Sequence, residues 1–125
     1  MIDEIEQAIK AHRNWSLRLR KAIETAAFDL RAAETSDDHV CIFGKWLYSD
    51  SILPAARSRF LFLHVQVQHA TFHRYASEVV LAALGGDRDK ALALMDKNSG
   101  FELASTMLIN SLRAWQSDCM QLNLH

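Results

Sequence analysis

Nine residues of the first third of the chain, Ile5, Ile9, His12, Ser16, Leu19, Ile23, Ala26, Leu30 and Ala33, recur at steps of three and four. Mostly aliphatic, this line is the seam of a long helix packed in a bundle. At 1.5 Å per residue it predicts a helix of roughly 40 Å. One proline and four glycines are all that interrupt 125 residues, so helix should dominate the remainder.

The breaks fall where these residues and small polar ones gather. Thr35, Ser36, Asp37 and Asp38 end the first pattern and offer capping oxygens to a short helix from about Val40, on which Phe43, Trp46 and Leu47 share a face. Pro54 suits the first turn of a third helix, expected to run through Phe60, Val67, His73, Ala76, Val80 and Leu84 until Gly85 and Gly86 stop it. A short helix is expected from Arg88 to Asp96. After the turn at Asn98, Ser99 and Gly100 comes a last helix with Phe101, Ala104, Leu108, Trp115, Cys119 and Leu122 as its stripe. The expected fold is all-α: a four-helix bundle with one or two additional short helices, forming a single domain over residues 1–125.

Composition narrows the function classes. Half the residues are hydrophobic, enough for a real core, and 14 Lys plus Arg against 15 Asp plus Glu leave a net charge of -1. No basic run marks a nucleic-acid or anionic-lipid partner. The charged amino end has no signal-peptide core, and no apolar run is of membrane-spanning length, so a cytoplasmic protein is expected. Two cysteines, Cys41 and Cys119, are too few for a disulfide framework.

Polar residues on apolar faces carry the chemistry. His12 stands on a seam where a bundle normally places Ile or Leu, and its buried ring needs a partner. His69 and His73 are one turn apart on one helical face, a spacing at which two imidazoles can share an ion. Alone, such a pair is more often exposed or hydrogen-bonded in a core than a ligand pair. Cys41, at the expected amino end of a helix, would have its thiolate favoured by the helix dipole, and three imidazoles with one thiolate complete a tetrahedral zinc shell. Gly44 leaves room for a neighbouring helix, and Phe43 and Trp46 could wall the site. The competing reading makes Cys41 a small buried hydrophobe and Trp46 core filling. His39, two residues from Cys41, is a rival ligand, though its polar turn suits a solvated or supporting role. His64 faces elsewhere, His125 is the chain end, and Cys119 reads as core.

Together, H-R-N-W at 12–15, C-I-F-G-K-W at 41–46 and H-A-T-F-H at 69–73 resemble the pattern of the chemoreceptor zinc-binding (CZB) domain family. That resemblance implies zinc (Zn2+) held by His12, Cys41, His69 and His73, with Trp15, Phe43, Gly44 and Trp46 in support. It further implies a non-enzymatic regulatory module of bacterial cytoplasmic signalling, homodimeric and attached to a chemoreceptor or a diguanylate cyclase, sensing zinc or oxidation of the cysteine. Leu61, Val65, Leu81 and Ile109, read as exposed, would suit a dimer interface. L-G-G-D-R-D at 84–89 is similar to a cyclase signature loop, but too little chain remains for that catalytic domain, and it reads as a helix stop and cap. Met1 just before the domain suits either a stand-alone protein or an amino-terminal module.

Two alternatives stand beside this. A hemerythrin-like di-iron bundle would need carboxylates paired with the histidines, and Asp29, Glu34, Glu78 and Glu102 do not show that spacing. A metal-free dimeric helical bundle is the other.

Overall fold

The computed structural model describes residues 2–25 and 42–122, within which lie six helices and no strand. They are α1 (Ile2–Thr25), α2 (Ile42–Leu47), α3 (Pro54–Arg57), α4 (Phe60–Leu84), α5 (Arg88–Leu94) and α6 (Gly100–Gln121). The fold is an all-α bundle in which α4 packs on α6 and α5, and α1 packs on the same two helices. No helix among the described residues is long and apolar enough to cross a membrane.

Along α1 the expected seam is buried at Ile5, Ile9, His12, Leu19 and Ile23, with Ala8 beside them and Ser16 half-buried. Its expected continuation through Ala26, Leu30 and Ala33 lies outside the described residues. In α6, Phe101, Ala104, Leu108, Leu112, Trp115 and Cys119 form the buried stripe, whereas Leu122 lies past the helix end and is exposed. Ser99 caps α6, its hydroxyl accepting from the Glu102 amide at 3.1 Å. A Cβ at Gly100 would overlap the Tyr75 ring, so glycine there lets the first turn of α6 lie against α4.

The third helix departs from expectation in two ways. Pro54 does open a helix, but that helix stops at Arg57, and α4 starts anew after Arg59, which is extended at φ -76°, ψ 141°. The Arg59 guanidinium reaches across to Asp118 of α6 with two hydrogen bonds, at 2.8 and 3.1 Å, a tie that accompanies the corner. The buried face of α4 matches the expected line at His73, Ala76 and Val80 but not at its other three members. Phe62, Val65, His69, Phe72, His73, Ala76, Val79 and Val80 are buried, while Phe60, Val67 and Leu84 are exposed. Val65, expected at the surface, is fully buried; Leu61 and Ile109 are half-buried, and Leu81 is exposed.

The glycine stop of α4 is as expected. Gly86 takes φ +83°, and the amides of Gly86 and Asp87 bond back to the carbonyls of Ala83 and Ala82 at 3.1 and 3.0 Å. This reciprocal pair is the Schellman closure that a left-handed glycine permits. α5 ends at Leu94, two residues before its expected end at Asp96.

Candidate metal centre

α1 and α4 bring three histidines together in the core. His12, His69 and His73 are 7%, 0% and 7% exposed, and each offers a ring nitrogen within 4.8 Å of the others. The His69 and His73 rings meet edge to face at 4.5 Å, with His12 at 5.3 and 6.2 Å from them.

Local geometry sets the state of these rings. The His12 Nδ1–H donates to the Ala8 carbonyl one turn back at 2.8 Å, which fixes the tautomer and leaves the Nε2 lone pair as the ligating position. Burial pushes the His12 pKa down to about 4; the Ala8 bond opposes this and His73 adds to it. The ring is therefore neutral at physiological pH, as a metal ligand must be. The Nε2 atoms of His69 and His73 lie 3.0 Å apart.

The donor set fits zinc. Three imidazole nitrogens with no carboxylate in the cluster, among the described residues, suit zinc and other transition ions rather than calcium or magnesium. A tetrahedral shell with Zn–N bonds of about 2.0–2.1 Å needs nitrogens about 3.3 Å apart. The His69–His73 pair is already about that close, and His12 offers a nitrogen within 4.8 Å of both.

Not all the expected site residues fall in the described region. Cys41 does not, nor does the side chain of Phe43, nor His39 or His125. Gly44 is buried on α2, and Trp15 and Trp46 are half-buried. Trp15 packs on Phe72 and Phe101 at 5.7 and 6.5 Å, while the Trp46 ring meets Trp115 at 5.9 Å. His64 is half-buried beside Gln68 and Phe60, off the cluster's face. Cys119 is buried in the core, and burial, then the neighbouring Asp118, raises its thiol pKa. Of the acids weighed as iron ligands, Glu78 is exposed and Glu102 half-buried, neither in the cluster, and Asp29 and Glu34 lie outside the described residues.

Two contributors were missed from sequence. Phe72 stands edge-on to both His12 and His73, at 5.2 and 5.6 Å, and forms the apolar wall next to the imidazoles. Its position inside H-A-T-F-H was the available signal. The Ala8 carbonyl that orients His12 is a backbone group four residues upstream, which every helical histidine has, so no side-chain pattern marks it.

A buried three-imidazole centre in an all-α bundle defines the class as a helical metal-binding domain. A family model, the chemoreceptor zinc-binding domain, matches residues 12–80, more than half of the chain. The chain belongs to that family, whose domains are sensory and regulatory rather than catalytic, and its cofactor is zinc. No curated protein and no solved structure matches it.

Proposed function

We propose that His12, Cys41, His69 and His73 hold one zinc ion per chain, and that residues 1–125 act as one cytoplasmic regulatory module. In this reading the module governs a diguanylate cyclase or a chemoreceptor output according to zinc occupancy or oxidation of Cys41. The observation that carries it is the convergence of three buried imidazoles from helices far apart in sequence, one of them held neutral and correctly oriented. Bound zinc supplies a tie between α1, α4 and the segment bearing Cys41, and its binding free energy becomes free energy of that packing. The chain's own part is to hold the rings. The Ala8 carbonyl orients His12, the α4 backbone fixes the His69–His73 spacing, and Phe72 keeps water from the nitrogens. Without the ion, three desolvated imidazoles face each other in the core, a weakness that lets occupancy shift helix packing.

A homodimer belongs to the same proposal, and α4 supports it. Its outer face carries Phe60, Leu63, Val67, Ala70, Arg74, Ser77, Leu81 and Leu84, a second unbroken three-four seam. Five of these are large hydrophobics at 43–76% exposure. A helix apolar on two sides is one that is covered on both, and a second copy offers a matching seam.

Hydrogen exchange of the zinc-loaded and zinc-stripped full chain tests the regulatory reading. Zinc removal is expected to speed exchange in α1 and α4 around His12 and His73. Identical exchange in the two forms would mean that occupancy does not reach the packing.

A further inference from the structure

A cleft of about 490 Å³ opens between α1 and α6, away from the imidazole nitrogens, with Met95 and Phe101 on its inner wall. Small-molecule sites occupy about 300–1,000 Å³ and pair an apolar floor with a few placed polar groups. Both features are present here.

The polar groups are unequal in a telling way. Arg13 and Arg20 both line the cleft; seven residues apart, they share a face of α1 about 10 Å apart along its axis. Arg20 is committed, donating to the Met95 carbonyl at 3.0 Å, whereas Arg13 has no hydrogen bond or ion pair among the described residues. Opposite them, α6 contributes Glu102 and Ser105. Ser105 is only 9% exposed, and its hydroxyl makes no hydrogen bond among the described residues. Other serines behave differently: the Ser16 and Ser111 hydroxyls donate back to the His12 and Met107 carbonyls at 3.2 and 2.8 Å. A ligand carboxylate can accept from that hydroxyl and from the Arg13 guanidinium together, the second bond being charge-assisted. Two guanidiniums against one carboxylate leave the cleft one positive charge in excess.

We infer that this cleft is a binding site for a small organic monocarboxylate with an apolar body. Its carboxylate lies between the Arg13 guanidinium and the Ser105 hydroxyl, and its body rests on Phe101 and Met95. The single excess charge selects a monoanion over a dianion or a neutral molecule, and the apolar floor selects against a bare inorganic ion. No histidine takes part, so the site stands or falls separately from the metal centre.

The probes are benzoate, its uncharged analogue benzamide and the cation benzamidine, titrated into zinc-loaded full chain by calorimetry and by amide NMR. Saturable benzoate binding is expected, with shifts centred on Phe101 and Ser105, benzamide at least about tenfold weaker and benzamidine inactive. Arg13→Gln should weaken benzoate about tenfold or more through the lost charge-assisted bond. Ser105→Leu should remove the hydroxyl and crowd the place of the carboxylate, weakening binding about tenfold or more; if that variant fails to fold, the exposed Arg13→Gln still decides. Absence of saturable benzoate binding, equal affinity for benzamide, or an Arg13→Gln variant that binds as wild type each overturns the inference.

Discussion

The Nε2 atoms of His69 and His73 approach to 3.0 Å, one turn apart on α4. Two lone pairs cannot share that distance, so one ring donates and the other accepts. A cation held by both nitrogens would take the place of the bridging proton, which the donor ring would carry on its other nitrogen instead.

The proposed site predicts one zinc per chain. X-ray absorption of the purified protein should show one sulfur at about 2.3 Å and nitrogens at about 2.0–2.1 Å. His73→Ala and Cys41→Ser should each lower affinity by more than about 100-fold, since loss of even an outer-shell partner costs 10–100-fold. Full zinc content in both variants would remove these residues from the ligand set.

Phe72 should matter to the metal as well as to the core. Phe72→Ala removes a fully buried ring and is expected to cost about 3–5 kcal/mol in urea unfolding. Phe72→Leu keeps most of the volume and should cost less, about 1.5 kcal/mol or under, yet weaken zinc by admitting water beside His12 and His73. Zinc affinity of the leucine variant equal to wild type would leave Phe72 a packing residue only.

In the metal-free protein, acid should destabilise through His12. Its folded pKa is about 4, against roughly 6.5 unfolded. Between those values the unfolded state binds more protons, so stability rises with pH and is lost as pH falls through the window, by on the order of 3 kcal/mol. Urea titrations of chelator-treated protein at pH 7, 6, 5 and 4.5 measure this, and His12→Leu should flatten the slope. An unchanged slope in that variant would assign the effect to other groups.

What the sequence made legible, and what it did not, follows from where the information lies. The α1 seam could be read because aliphatics on one side face charges on the other, so the periodicity has one solution. On α4, Phe60, Leu63, Val67 and Leu81 alternate with Phe62, Val65, Phe72 and Val79, and apolar residues on both sides gave no basis for choosing the buried face. The break at Arg59 is tied to Asp118, fifty-nine positions away, and local propensity carries no trace of it. The histidines stood out because imidazoles on aliphatic seams conflict with burial unless paired. The α1–α6 cleft was invisible, since Arg13 and Ser105 become neighbours only through tertiary packing.

The outer seam of α4 predicts how two copies meet. In a parallel pair Arg74 would face its own copy at the interface. In an antiparallel pair about residue 72, Phe60 meets Leu84, Leu63 meets Leu81, Val67 meets Ser77, and Arg74 lies over the small Ala70. We therefore expect sedimentation at micromolar concentration to show a dimer that Leu63→Arg dissociates while zinc stays bound. The double variant Leu63→Cys with Leu81→Cys should cross-link between chains on mild oxidation. Leu63→Cys alone should not, because its two copies lie about 27 Å apart along the axis. Cross-linking by the single variant would reverse the orientation, and a monomeric wild type would end the dimer proposal.

Between the two cysteines, chemical response is expected at Cys41. Cys119 is fully buried, and its thiol is held protonated by burial first and by Asp118 second, so little nucleophilic thiolate forms there at neutral pH. A zinc-bound Cys41 would be held as thiolate. With hypochlorous acid, the sulfur attacks chlorine and releases hydroxide; water then displaces chloride to leave a sulfenic acid. The site thereby loses its anionic donor and keeps only neutral imidazoles, whose hold on the ion is weaker. Mass spectrometry during graded oxidation, run beside a zinc-release dye, should find Cys41 modified first and zinc appearing in step with it. The Cys119→Ala variant should release zinc on the same schedule. Modification beginning at Cys119, or at Cys41 with no zinc released, would defeat the oxidant reading and leave zinc occupancy as the signal.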